Sequence, residues 1–331
     1  MTAAENPLTI AVAPMMERTD RHCRYLLRLI SPEARLYTEM ITAAALVRGG
    51  RLHLLEFHPS EHPVALQLGG SDPGELARAA AVGAAAGYDE INLNVGCPSD
   101  RVQSGRFGAA LMAQPQRVAA CLRAMMEAVD VPVTVKTRTG IDDLDSYDFL
   151  HGFVGAVAEA GCGTVIIHAR KAILSGLSPK QNREVPPLDY RRVYRLKSDY
   201  PALRIILNGG LDSEGKALDQ FGHVDGVMLG RHAYSNPWVL AELDSRLGRR
   251  RGVSSREAAL RGYLRYMGSE LKRGTSLKAM TRHLVGLFAG RPGARAWRRF
   301  LSELPPGDTG HALLRRRVDV EGGVPAVVAN W

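Results

Sequence analysis

Eight short apolar runs, each ending at a polar residue or glycine and most of them separated by Ala- and Leu-rich segments of helical spacing, predict an α/β chain built of parallel βαβ units. Eight such units favour a closed (β/α)8 TIM barrel, and the strand pattern stops after about Leu240, where a small all-α helical bundle is expected. Two further observations support the barrel. No Gly-x-Gly-x-x-Gly follows any run, which lowers the case for an open dinucleotide-binding sheet. Chemistry-bearing residues also recur at the carboxyl ends of the runs, where barrels carry their active sites.

The predicted strands span 9–13, 36–40, 64–68, 90–95, 131–137, 164–168, 204–208 and 226–229. The clearest helix begins at Asp72-Pro-Gly-Glu75, which supplies an N-cap, a proline at the first helical position and an acid in the first turn; Gly87 ends it. Residues 171–190 form a long loop, in which Lys180, Asn182 and Arg183 suggest phosphate contacts; loops of that length are usually functional or disordered. A linker at 246–253 divides a catalytic domain, 1–245, from a basic module, 246–331. Ser254-Ser-Arg-Glu257 caps a helix reaching about Arg273, and further helices are expected near 276–288, 294–301 and 310–318. The closing residues 324–331 carry no readable signal.

Composition sets the class. With 45% hydrophobic and 23% charged residues in 331, the chain reads as an ordinary globular protein. No apolar stretch is long enough for a membrane span and no secretory pattern opens the sequence, so a cytoplasmic protein without a membrane partner is expected. Four cysteines without a C-x-x-C pair argue against a disulfide framework and a zinc site, and no metal is expected. The net charge of +9 is unevenly spread: residues 246–331 carry 18 Lys/Arg against 6 Asp/Glu, leaving 25 against 28 for the rest. A basic module beside a near-neutral body suggests a polyanion such as nucleic acid; a solvated helical face is the plainer alternative.

The candidate chemistry centres on Glu90-Ile-Asn-Leu-Asn-Val-Gly-Cys-Pro-Ser99. A free cysteine usually fills space, as Cys121 and Cys162 inside their segments are expected to do. Cys97 instead follows a strand and is locked between Gly96 and Pro98, so it is the first catalytic candidate. Other strand ends carry Pro14-Met15-Met16, Gln67, Asn94, Lys136 with Arg138, His168 with Arg170, Asn208-Gly209-Gly210 and Gly230-Arg231. Lys136 or His168 alone could be structural. Their convergence from six or more strands is harder to dismiss. Glycines after the seventh and eighth strands, with Arg231, offer backbone N–H groups where barrels often hold phosphate. That arrangement suits FMN, with Pro14, Met15 and Met16 against the ring, Gln67 at its edge and Lys136 near its negative charge.

Taken together, Ala13-Pro-Met15, Thr19-Asp-Arg-His22, Leu36-Tyr-Thr-Glu-Met40, Asn92-Leu-Asn-Val-Gly-Cys-Pro-Ser99, Val135-Lys-Thr-Arg138, His168-Ala-Arg-Lys171 and Asn182-Arg-Glu-Val-Pro-Pro-Leu188 resemble the tRNA-dihydrouridine synthases. The bacterial A-type subgroup of that family is the most similar, over about Ala11 to Glu303, and the long loop with Lys180 and Arg183 points to it. The resemblance implies an FMN enzyme that uses NADPH to reduce uridine to 5,6-dihydrouridine in the tRNA D loop, at position 20, 20a or both. It implies Cys97 as proton donor. FMN would be held by Pro14, Met15, Met16, Gln67, Lys136, His168, Asn208, Gly209, Gly210, Gly230 and Arg231. Asn94, Lys180, Arg183, Arg295 and Arg298 would meet tRNA. A monomer is expected.

A thiol with its ordinary pKa of about 8.5 is mostly protonated at neutral pH and can serve as an acid unaided. The rival readings are an FMN-dependent dihydroorotate-type oxidoreductase acting on a free pyrimidine, a Schiff-base aldolase using Lys136, and a non-catalytic RNA-binding barrel. The first of these needs no basic C-terminal module.

Overall fold

The computed structural model describes residues 8–320. Among the described residues nine strands form one sheet: β1 Thr9–Val12, β2 Arg35–Tyr37, β3 Ile41–Thr42, β4 Val64–Gly69, β5 Glu90–Val95, β6 Val133–Arg138, β7 Thr164–His168, β8 Arg204–Asn208 and β9 Gly226–Leu229. Their order is β2-β1-β9-β8-β7-β6-β5-β4-β3, every pair is parallel, and β2 also pairs with β4. Eight strands therefore close into a barrel, with the two-residue β3 as an appendage on β4. This is the (β/α)8 architecture expected from the sequence, and the helical C-terminal region is present as well.

Strand boundaries differ from the expected ones for identifiable reasons. Where one strand was expected over 36–40, the Thr38 hydroxyl takes the Gln67 N–H at 3.0 Å in place of a backbone carbonyl, and regular pairing ends. The strand expected from 131 starts at Val133, directly after Pro132, which has no N–H for a ladder. The helix Pro73–Ala85 follows its cap signal, with Asp72 accepting from Glu75 N–H at 2.7 Å. The helix expected over 276–288 is only Leu277–Thr281 continued by a 3-10 turn, Arg282–Leu284. Gly286 lies just beyond this turn, where a Cβ would be 2.6 Å from the Ser235 carbonyl oxygen, so only glycine permits the approach. Residues 324–331 lie outside the described residues.

Inside the barrel, Ala11, Ala13, Tyr37, Ala65, Ile166, Ile206 and Met228 form one buried cluster. Beside these residues, Gln67, Glu90, Asn92, Asn94 and Thr134 are buried as well, with Ala65 in register with Glu90. The alternating polar residues of β5 thus face protein, and all six of its positions are buried.

The chain packs as two units that do not follow a linear cut at residue 246. One comprises residues 8–16, 35–57 and 62–230; the other comprises 17–34, 58–61 and 231–320. The reason lies in the helix Arg21–Ile30, whose Arg21 pairs with Glu270 at 2.6 Å and whose His22 meets the Tyr266 hydroxyl at 2.7 Å. Arg24 donates to Glu61 at 2.6 Å with both side chains buried, and Arg28 donates to the Glu61, Ser31 and Ala34 carbonyls. Truncation at 246 would strip this segment of Tyr266 and Glu270. In the same unit Trp297 is buried, donates to the Leu284 carbonyl at 2.8 Å and meets Phe288 edge-on. No helix among the described residues is long and apolar enough to cross a membrane.

Removing one partner of a buried ion pair leaves the other uncompensated, at a cost of about 3–5 kcal/mol. Glu61→Ala should lower unfolding free energy by about that amount, measured by chemical denaturation; a change of a few tenths would mean that Arg24 finds another partner.

Candidate active site

Parallel closure sets the candidate residues side by side. Asn94 is in register with Lys136, Arg138 with His168, His168 with Asn208, and Asn208 with Met228. Cys97 sits just beyond β5 and is half-buried, whereas Cys23, Cys121 and Cys162 are buried. The turn that carries it is pinned from several sides. Asn94 Oδ1 accepts from the N–H groups of Gly96 and Cys97, at 3.2 and 3.0 Å, and the Cys97 carbonyl accepts from Ala109 N–H at 2.9 Å. Arg138 donates to the Gly96 carbonyl at 3.1 Å and to the Asn182 carbonyl at 3.0 Å. Gln103 bridges the Pro98 and Leu174 carbonyls, tying this turn to the loop after β7. Gly108 has φ +72°, and a Cβ on it would meet the Cys97 carbonyl oxygen at 2.6 Å.

Two residues expected to meet ligands, Gln67 and Asn94, are buried on the inner side and hydrogen-bond to one another. Gln67 is 1% exposed, with its amide donating to Asn92 and accepting from Asn94, so its side chain is already engaged. Asn94 is buried with its amide equally committed, which makes it a brace for the Cys97 turn. Asn182 is likewise fully buried and closes its own loop, exchanging hydrogen bonds with Ile173; the phosphate role suggested for it does not fit.

Positive charge dominates the rest of the rim. Burial, reinforced by Arg138, pushes the Lys136 amine down to about 7, with the Cys97 sulfur acting the other way. Burial, then the charges of Arg138, Lys136, Arg170 and Arg183, hold His168 well below its ordinary range, so the imidazole is neutral at pH 7. Arg183 therefore belongs to this charged group, while Lys180 is exposed at the start of the 3-10 turn Gln181–Arg183.

The Gly209-Gly210 pair is a requirement of the site. Gly209 has φ +108°, and a Cβ would lie 2.5 Å from His168 Cδ2; Gly210 has φ +67° and faces Leu188 and Tyr190. Tyr190 donates to the Gly209 carbonyl at 2.7 Å, and Asn208 donates to the Met228 carbonyl at 2.6 Å. A Cβ on Gly230 would meet nothing within 4 Å, so the backbone there borders open space. Arg231, exposed, begins the short helix Arg231–Ser235. Pro14 and Met15 are half-buried and Met16 is exposed beyond β1. Arg295 and Arg298 are exposed on the helix Ala294–Glu303 of the other unit.

Sequence reading overlooked the row behind Cys97: Asn92, Thr134, Glu90 and Tyr37. The signal was available, since Glu90, Asn92 and Asn94 recur at period two in a strand whose remaining residues are apolar.

The architecture and its rim define a (β/α)8 barrel with a thiol, an amine and an anion-attracting set of cations at the strand ends. The chain belongs to the dihydrouridine synthase family: the family model "Dihydrouridine synthase (Dus)" matches residues 11–318. A Shewanella oneidensis protein named tRNA-dihydrouridine(20/20a) synthase is 59% identical over 296 residues, covering 89% of this chain and 88% of its own. Proteins of the same name from Vibrio cholerae and Escherichia coli K12 are each 56% identical; they cover 89% and 88% of this chain, and 90% and 85% of their own.

Lys136 generates a pH-dependent stability. Between about pH 7 and its ordinary 10.5 the unfolded chain holds a proton that the folded chain lacks, so this residue makes stability rise with pH in that window. Lys136→Met should flatten that rise in ligand-free protein, as read by denaturation across the neutral to alkaline range.

Proposed function

We propose that this protein reduces uridine to 5,6-dihydrouridine in the D loop of tRNA, at position 20 or 20a, with FMN as resident cofactor and NADPH as electron donor, as a cytoplasmic monomer. The observation that carries the reading is the Cys97 thiol, braced at the barrel rim by Asn94 within electrostatic reach of Lys136. The names of the relatives support the substrate and its position.

The residues present fit an anionic flavin nucleotide. Lys136, Arg138, Arg170 and Arg183 gather positive charge around His168, and the backbone at exposed Gly210 and at Gly230, beside which a Cβ would meet nothing within 4 Å, lies where a phosphate would sit. When bound, reduced FMN would supply the hydride that adds to C6 of the uracil ring. The chain's own part is narrower. Cys97 holds a proton at Sγ for C5, and Asn94 and Arg138 fix the turn that aims it. Lys136 offsets negative charge on the ring, and neutral His168 serves as a hydrogen-bonding group. Gln67, with its amide engaged, shapes the floor of the site.

The target base must leave the tRNA stack to reach the rim. Phosphate contacts supply affinity that does not depend on sequence, and exposed Arg295 and Arg298, spaced i and i+3 on one helix, suit that task. This exposed basic face favours tRNA over a free pyrimidine as substrate.

Loss of a general acid typically costs 10²–10⁴ in rate. Cys97→Ala should therefore lower dihydrouridine formation by at least about a hundredfold, measured by nucleoside mass spectrometry, while the flavin spectrum and tRNA binding persist; undiminished formation would remove Cys97 from the chemistry. Reversing charge at both Arg295 and Arg298 should weaken tRNA binding and reduce its salt slope by about one for each phosphate that is no longer neutralised. A slope equal to that of the native protein would show that this face does not touch phosphate.

A further inference from the structure

The polar row behind Cys97 has a direction. Gly96 and Cys97 N–H donate to Asn94 Oδ1, Asn94 Nδ2 to Gln67 Oε1 at 2.9 Å, Gln67 Nε2 to Asn92 Oδ1 at 2.8 Å, and Asn92 Nδ2 to Thr134 Oγ1 at 2.8 Å. The Thr134 hydroxyl then donates to Glu90 Oε1 at 2.7 Å, and Tyr37 donates to the same oxygen at 2.6 Å. Every donor in the row from Cys97 to Thr134 points away from Cys97 and towards Glu90.

The two ends of the row account for this. A backbone N–H can only donate, and an ionised carboxylate can only accept. Each link between them could be turned round, since an amide flips and a hydroxyl rotates. Reversing any one would set donor against donor at a buried site, where an unmade hydrogen bond is costly. No link has water to fall back on, because Gln67, Asn92, Thr134, Glu90 and Asn94 are all buried. Burial raises the Glu90 carboxyl and Arg35 Nε, 3.8 Å from its second oxygen, works against that; at the end of the row Oε1 accepts from both Thr134 and Tyr37.

We propose that Glu90 is a positioning residue for Cys97: through Thr134, Asn92, Gln67 and Asn94, its carboxylate sets the orientation of the amide that holds the Cys97 turn. Its consequence for catalysis rests on the reading of Cys97 as proton donor. Its consequence for the turn itself does not.

The test separates the two. Glu90→Gln places a potential donor at the accepting end, Thr134→Val deletes a link, and Thr134→Ser keeps the hydroxyl. Protein labelled with ¹⁵N-cysteine reports four amides, because the chain has four cysteines, and Cys97→Ser assigns the relevant one. Glu90→Gln and Thr134→Val should speed hydrogen exchange at the Cys97 amide about tenfold relative to Cys23, Cys121 and Cys162. They should also lower kcat for uridine reduction with KM for tRNA unchanged, and Thr134→Ser should restore both. Exchange at Cys97 that stays at the native rate in both variants, or that rises only in step with the other three cysteines, overturns the proposal by showing that the row merely packs the barrel. Native protein unable to reduce uridine would sink the reading of Cys97 and leave the exchange result to decide the role of Glu90.

Discussion

Everything at the rim depends on β2 closing onto β4 through the pairs Leu36–Val64 and Tyr37–Ala65. Closure of a parallel sheet places every strand's carboxyl end on one circle, so residues far apart in the chain become neighbours. It also leaves the inward positions without solvent. A barrel of this size must fill its centre with side chains, and here the filling differs from side to side. Ala11, Ala13, Ala65, Ile166, Ile206 and Met228 form an apolar cluster, whereas Gln67, Asn92, Asn94, Thr134 and Glu90 of β4, β5 and β6 contribute amides, a hydroxyl and a carboxylate, joined by the Tyr37 hydroxyl of β2.

That asymmetry explains how a half-buried thiol is held so closely. An apolar floor would pack under Cys97 without orienting it, because hydrophobic contact is non-directional. A hydrogen-bonded floor imposes direction. Buried polar groups are tolerated only when each is satisfied, and the row from Asn94 to Glu90 meets that condition link by link. The rim above it is organised by charge. Burial, then the charges of Arg138, Lys136, Arg170 and Arg183, keep His168 neutral, and those cations make the opening attractive to anions.

The second unit follows a different logic. Its helix Arg21–Ile30 comes from the N-terminal part of the chain and buries two arginines, each satisfied by Glu61 or by carbonyl oxygens. The helix Ala294–Glu303 has one buried side and one exposed basic side. Trp297 and Leu301 fill the interior, while Arg295 and Arg298 from the same helix remain exposed.

Periodicity, caps and strand-end residues by themselves determined the architecture, most strand positions, and the grouping of Cys97, Lys136, His168 and the Gly209-Gly210 turn. These are local properties: a strand's apolar rhythm or a proline at a helix start acts within a few residues, so it can be read along the chain. Only the tertiary structure decided that Gln67 and Asn94 turn inward, that Asn182 closes its own loop, that Glu90 anchors a directed row, and that residues 17–34 pack with residues beyond 231. An amide in a sequence carries no sign of whether it will meet a ligand or another amide. That choice depends on which groups closure brings within about 3 Å, and those groups lie tens to hundreds of residues away, as Asn92 and Thr134 or His22 and Tyr266 do.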